Sequence, residues 1–84
     1  MNEKILITVE VPIIDYNFDI FIPINKKVGT VRNAIINTIN ELTNNILENS
    51  DKLNLYLKDT FEFCELNTYV ANTNIKNGSR LVLM

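Results

Sequence analysis

The chain has 84 residues, 46% of them hydrophobic, with 8 basic and 10 acidic side chains and a formal net charge of −2. This size makes one domain around a single core, this composition excludes an intrinsically disordered chain, and the lack of any basic block excludes nucleic acid as a main partner. There is no histidine, which removes imidazole acid–base chemistry and histidine metal ligation, and the lone Cys64 has no partner for an internal disulfide, as expected of a reducing compartment.

Met1-Asn2-Glu3-Lys4 passes into a strand pattern without signal-peptide architecture, and no apolar run reaches the length of a membrane span. The expectation is a cytoplasmic protein with no direct membrane insertion. Glu3 to Val11 alternates, with Ile5, Ile7, Val9 and Val11 on one face and Lys4, Leu6, Thr8 and Glu10 on the other. Pro12 stops this strand because it cannot donate to a ladder, and Asp15-Tyr16-Asn17 reads as a turn. A second run sets Phe18, Ile20 and Ile22 against Asn17, Asp19 and Phe21 until Pro23 ends it, so the two strands form an antiparallel hairpin.

The period then changes. Val28, Val31, Ile35, Ile39, Leu42 and Ile46 recur at steps of three and four, which predicts an amphipathic helix over Val28–Leu47. Arg32, Asn33, Asn37, Asn40, Glu41 and Asn44 fall on its other faces. Asn25 is the candidate N-cap, with the helix starting near Lys26 and Gly29 in its first turn. Its end lies either at Asn44-Asn45 or further on, at Glu48. Leu53, Leu55 and Leu57 alternate with Asn54, Tyr56 and Lys58 as a third strand, and Lys58-Asp59-Thr60 turns the chain into a short fourth candidate, Phe61-Glu62-Phe63. Glu65 to Thr73 reads as a crossing loop with a helical turn near Tyr69 and Val70. Asn77-Gly78, with Gly78 at positive φ, leads into a last strand, Arg80 to Met84.

This order implies an α+β fold in which one long helix crosses one face of a mixed sheet, with the first and last strands parallel and central. Its landmarks resemble the β-grasp of ubiquitin-like proteins. Asn74-Ile75-Lys76-Asn77-Gly78-Ser79-Arg80-Leu81-Val82-Leu83 is similar to the ubiquitin segment in which an Asn-Ile pair precedes a positive-φ turn and a closing strand. The spacing from Ile22-Pro23 to Val28 is similar to that between ubiquitin's second strand and its helix. The resemblance implies a four- to five-stranded ubiquitin-like sheet. Within that group, Val9 to Pro23, with Tyr16-Asn17-Phe18-Asp19-Ile20 inside it, resembles the YukD/EsaB family of bacterial type VII (ESX-like) secretion. The chain departs from that family in a longer helix and in the stretch Phe61-Glu62-Phe63-Cys64. Ubiquitin-type modifiers and sulfur carriers end in Gly-Gly, whereas no glycine follows Gly78 here, so neither conjugation nor sulfur transfer is expected.

Nothing in the sequence calls for a cofactor or a metal. Cys64 lies in an apolar stretch without a base and reads as a structural cysteine, Glu62 and Glu65 read as solvated acids, and Gly29 has no glycine-rich phosphate loop around it. An enzyme would need Cys64, Glu62 or Glu65 gathered in one pocket, so a non-enzymatic protein is expected. A binding face is the stronger candidate. With Ile5, Ile7, Val9, Ile20, Ile22, Leu53, Leu55, Leu57, Leu81 and Leu83 turned to the helix, period two sends Leu6, Phe21, Tyr56, Val82 and Met84 to the opposite side. In the β-grasp order these positions, with Leu6, Phe21, Tyr56 and Val82 as the partner-binding residues, would form one contiguous apolar band bordered by Lys4, Asn54, Lys58 and Arg80, the side through which ubiquitin-like folds commonly bind partners. Two occupants are open: a protein component of a secretion system, which would make the chain an accessory adaptor, or a second copy, which would make it a self-assembling homodimer. An exposed edge strand is a further means of pairing with another chain.

Overall fold

In a computed structural model describing residues 3–47 and 50–84, the alternating segments fold as expected into a hairpin of β1 (Lys4–Val11) and β2 (Tyr16–Pro23). Their register pairs Lys4 with Pro23 and Val11 with Tyr16, so Tyr16 and Asn17, expected in the turn, belong to β2 and the reversal is made by the residues from Pro12 to Asp15. Pro12 opens a 3-10 turn to Ile14, and Asp15 reverses the chain in the left-handed region at φ 50°. The helix α1 runs Val28–Thr43, followed by β3 (Leu55–Leu57), a 3-10 turn Val70–Asn72 near the expected place, and β4 (Arg80–Leu83). The four-stranded sheet has the order β2-β1-β4-β3, with β1 and β4 parallel at its centre. Gly78 takes φ +89° ahead of β4, where an L side chain would be strained.

The core lies between α1 and one face of the sheet. Ile7, Val9, Val11, Leu55, Leu81 and Leu83 are fully enclosed there together with Val28, Ile35 and Ile39. Each such side chain contributes roughly 1.5–3 kcal/mol, an upper estimate.

The helix differs from its prediction at both ends. Lys27, not Asn25, holds the N-cap position, and no side chain caps it. The crossing loop supplies the missing acceptors: the Val28 and Gly29 N–H groups each donate to a backbone carbonyl, of Thr68 and Leu66 respectively, at 2.9 Å. Gly29 suits that approach, because a Cβ there would lie 3.2 Å from the Leu66 carbonyl oxygen, and the loop would have to give way slightly. At the other end Asn44 and Asn45, at φ 56° and 62°, stop the helix, and both N–H groups donate to the Asn40 carbonyl. The turn carries the stripe away from the core, leaving Leu42 at 63% and Ile46 at 53% exposure, while Leu47 folds back and is buried. The Asn40 side-chain oxygen holds Leu47 in place by accepting its N–H at 2.9 Å. Glu48, the further end considered for the helix, lies outside the described residues.

Arg32, expected on a polar face, is buried beside Ile35 and Ile36. Its Nε donates to the Leu53 carbonyl at 2.5 Å and its guanidinium to Asn33 Oδ1 at 2.8 Å. That bond fixes the segment entering β3, which is shorter than expected because Leu53 and Asn54 stay outside the strand. The expected strand Phe61-Glu62-Phe63 is reduced to one bridge, Tyr56 to Phe63. Phe61 at φ 54° kinks the backbone immediately before it.

Candidate functional site

The face of the sheet turned away from α1 is built by alternation, so its side chains follow from the register. One row pairs Phe21 of β2 with Leu6 of β1. A second runs Asp19, Thr8, Arg80, with Lys58 continuing it where its N–H donates to the Arg80 carbonyl at 2.9 Å. A third runs Asn17, Glu10, Val82, Tyr56, extended by Phe63 through the bridge to Tyr56. Met84, paired with Asn54 by reciprocal backbone bonds of 2.9 and 3.0 Å, begins a fourth.

Leu6, Phe21, Tyr56 and Val82 therefore all belong to this face, as alternation requires, but they do not form one contiguous band. Leu6 and Phe21 make one apolar pad; Tyr56 and Val82 belong to another, about 13 Å away at four strand residues along β1. The polar row between them is held together by its own contacts. Thr8 Oγ1 donates to Asp19 Oδ1 at 2.7 Å, and Lys58 Nζ meets Glu10 Oε2 at 2.5 Å. Because Lys58 stands beside β4 on one side and Glu10 on the other, their ion pair passes over β4.

Exposure separates the four residues further. Phe21 is 63% and Leu6 36% exposed, whereas Val82 retains only 5%. Glu10 and Tyr56 flank Val82 on either side, so it supports the pad instead of presenting surface. The accessible part of the second pad comes from Met84, already expected on this side, and from Phe63, which the expected band did not contain. Phe63 is 45% and Met84 46% exposed, and the Phe63 ring leans on Tyr56 with centroids 5.7 Å apart. Alternation already placed Met84 on this side. The signal for Phe63 was its own short alternating stretch, but its pairing to Tyr56 depends on the fold of the 58–62 turn.

The residues considered for chemistry are not arranged for it. Cys64 is buried at 4% exposure, and burial, aided by the Glu62 charge, pushes its thiol up to about 11. Glu62 accepts hydrogen bonds from Asn74 Nδ2 at 3.0 and 3.3 Å, and Glu65 accepts one from the Asn67 N–H at 3.2 Å. A depression of about 460 Å³ is bordered by Asp59, Thr60, Glu62, Asn74, Ser79 and Arg80. Among the described residues no group of three or more His, Cys, Asp or Glu is placed to hold a metal ion, and no helix is long and apolar enough to cross a membrane.

No family model and no curated protein sequence matches the chain. Solved structures do. The EccD5 ubiquitin-like domain from Mycobacterium xenopi superposes with a TM-score of 0.77 at 11% identity, over 98% of this chain and 93% of that one. A chain of the MycP5-free ESX-5 inner membrane complex gives a TM-score of 0.77 at 14% identity over 96% of this chain, which spans 20% of that longer one. The ubiquitin-like domain of Arabidopsis thaliana At2g32350 gives 0.66 at 18% identity, over 98% of this chain and 77% of that one. At such identities the likeness is one of fold. The chain has a ubiquitin-like β-grasp and, in its structure, resembles ubiquitin-like domains from type VII secretion.

Proposed function

We propose that this chain is a non-enzymatic, ubiquitin-like adaptor of a bacterial type VII-like secretion system, acting in the cytoplasm and docking on a protein component through the uncovered face of its sheet. The observation that carries the reading is the pair of apolar pads on that face, with Phe21, Phe63 and Met84 each about half exposed or more. A monomer leaving two aromatic side chains and a methionine in water beside an orderly polar row has the composition of a protein contact: apolar anchors with a hydrogen-bonded surround. The structural likeness to EccD5 and to a chain of the ESX-5 complex supports a secretion setting. The lack of histidine and the enclosed thiol support a role without catalysis.

The test is co-purification of the secretion ATPase with the tagged chain, for the wild type and for Tyr56→Asp and Leu6→Asp. An anchor residue is worth about 2 kcal/mol or more, so each variant should weaken capture by roughly 30-fold while the purified variants stay folded. Capture that is absent in the wild type, or unchanged in both variants, overturns the reading. A wild-type dimer that Tyr56→Asp dissolves would also overturn it, because a second copy would then occupy the face.

A further inference from the structure

The two edges of the sheet are treated very differently. β3 is three residues long, and the chain covers it itself: Leu57 N–H donates to the Glu62 carbonyl and Cys64 N–H to the Leu55 carbonyl, both at 2.9 Å. β2, at the opposite edge, is eight residues long. Which of its backbone groups face outward follows from the ladder. Ile24 N–H donates to the Glu3 carbonyl in the same register as β1–β2, so 22, 20, 18 and 16 also bond inward to β1. Leu6 and Thr8 bond towards the β4 side, through Gly78 and Ser79, as the same parity requires. The N–H and carbonyl groups of Asn17, Asp19 and Phe21, and the carbonyl of Pro23, therefore point out of the sheet. No described backbone group meets those three N–H donors.

Exposed edges are normally guarded by lysine, an interior proline, a bulge or a covering segment. Residues 16–22 carry none of these. Pro23 stands at the strand's end, and the single charge, Asp19, is engaged by Thr8 on the open face. On the helix side, Phe18 and Ile20 are only half-buried, although they pack against the core. An apolar, unguarded edge with unused donors calls for another strand, and β2 itself fits that description.

We infer that β2 pairs antiparallel with β2 of a second copy, joining two sheets edge to edge about a two-fold axis at Ile20. Neighbouring registers satisfy fewer groups: an axis at Phe18 leaves Phe21 opposite Asp15, outside the strand in the left-handed turn. An axis at Asp19 sets two carboxylates against each other. An axis at Phe21 sets Asn17 opposite Asn25, which lies beyond the strand in the turn that leads to the helix. With the axis at Ile20, Asp19 pairs with Phe21 and Asn17 with Pro23 of the second copy. Every outward N–H then finds a carbonyl, and Pro23, which has no N–H, needs to supply only its carbonyl. Ile20 meets Ile20, and Phe18 meets Ile22, further covering the partly buried Phe18 and Ile20. This inference does not rest on the adaptor reading: the Tyr56, Phe63 and Met84 pad lies away from the joint, and the assembly would present it twice.

Sedimentation equilibrium of the full chain, from low micromolar to submillimolar concentration, should show the mass rise from 9.7 kDa towards twice that value. Over the same range the Asn17, Asp19 and Phe21 amides should slow in hydrogen exchange by roughly tenfold or more. In the proposed register Ile20 sits opposite itself in a non-hydrogen-bonded pair, about 4.5 Å between Cα atoms, within disulfide reach. Ile20→Cys should therefore crosslink on mild oxidation, whereas Phe18→Cys, four residues from its own copy, should not. A monomer at every concentration overturns the inference. So does a dimer in which Ile20→Cys stays uncrosslinked or those three amides keep their rates. Tyr56→Asp should leave the dimer intact, so failure of docking and failure of pairing read out separately.

Discussion

Cys64 shows how burial, with a neighbouring charge, sets a residue's behaviour. Its thiol is pushed up to about 11 from an ordinary value near 9.0, by desolvation first and the Glu62 charge second. At pH 8 only about one thiol in a thousand is then ionised, and the thiolate is the nucleophile. Iodoacetamide should accordingly modify the folded chain far more slowly than the chain in urea. The same shift bears on stability. The folded state resists ionisation, so this contribution is fully present below pH 9 and is lost as pH rises towards 11. Urea midpoints should show this component flat up to about pH 9 and falling above it, and Cys64→Ala should remove the thiol-dependent part of that fall. Arg32 is the converse case, a buried cation kept by its bonds. Truncation to Ala strands the Leu53 carbonyl that its Nε serves, which should cost about 1–3 kcal/mol in urea denaturation. Arg32→Lys should recover only part of this, because an ammonium cannot reproduce the guanidinium fork that also reaches Asn33.

At the scale of elements, what was legible in the sequence is what the backbone period controls. Both strands of the hairpin, the start of α1 within a residue or two, the Gly78 turn and the central parallel pair follow from alternation, proline, glycine and one change of period. The end of α1 was ambiguous for a physical reason. Leu42 and Ile46 continue an apolar stripe, while Asn44 and Asn45 offer a left-handed stop, and the stop prevails because Leu47 then closes the core. The helix start was misplaced for a different reason: its first N–H groups are satisfied by carbonyls of Leu66 and Thr68, some forty residues later, so no local capping residue is needed. Backbone-to-backbone bonds of that kind leave little trace in side-chain identity. The same holds for the 62–64 segment covering β3, which is why Phe63 was not placed on the open face. For the candidate site, alternation assigned the correct side of the sheet to Leu6, Phe21, Tyr56 and Val82. It did not reveal the Lys58–Glu10 pair that spans β4, and so could not distinguish Val82 as support from Phe63 and Met84 as surface.

The whole sheet determines how the proposed docking face would work as a unit. A single apolar band would bind as one cluster, with losses from neighbouring substitutions overlapping. Two pads separated by the Asp19, Thr8, Arg80, Lys58 row would instead offer a partner two anchors on one sheet, about 13 Å apart along the strand direction. At such a spacing, without shared contacts, free energies add to within about 0.5 kcal/mol. Leu6→Asp and Tyr56→Asp should therefore weaken partner binding by factors that multiply in the double variant, as measured by calorimetry on the purified component. A double variant no weaker than the worse single one would show that the partner engages one pad only, and a strongly non-multiplicative result would show that it bridges the pads by rearranging the row between them. The Lys58–Glu10 pair separates these outcomes. Both groups remain partly exposed, so Glu10→Gln should change stability by about 1 kcal/mol or less. Releasing Lys58 from over β4 should nevertheless alter binding wherever the partner must reach Val82.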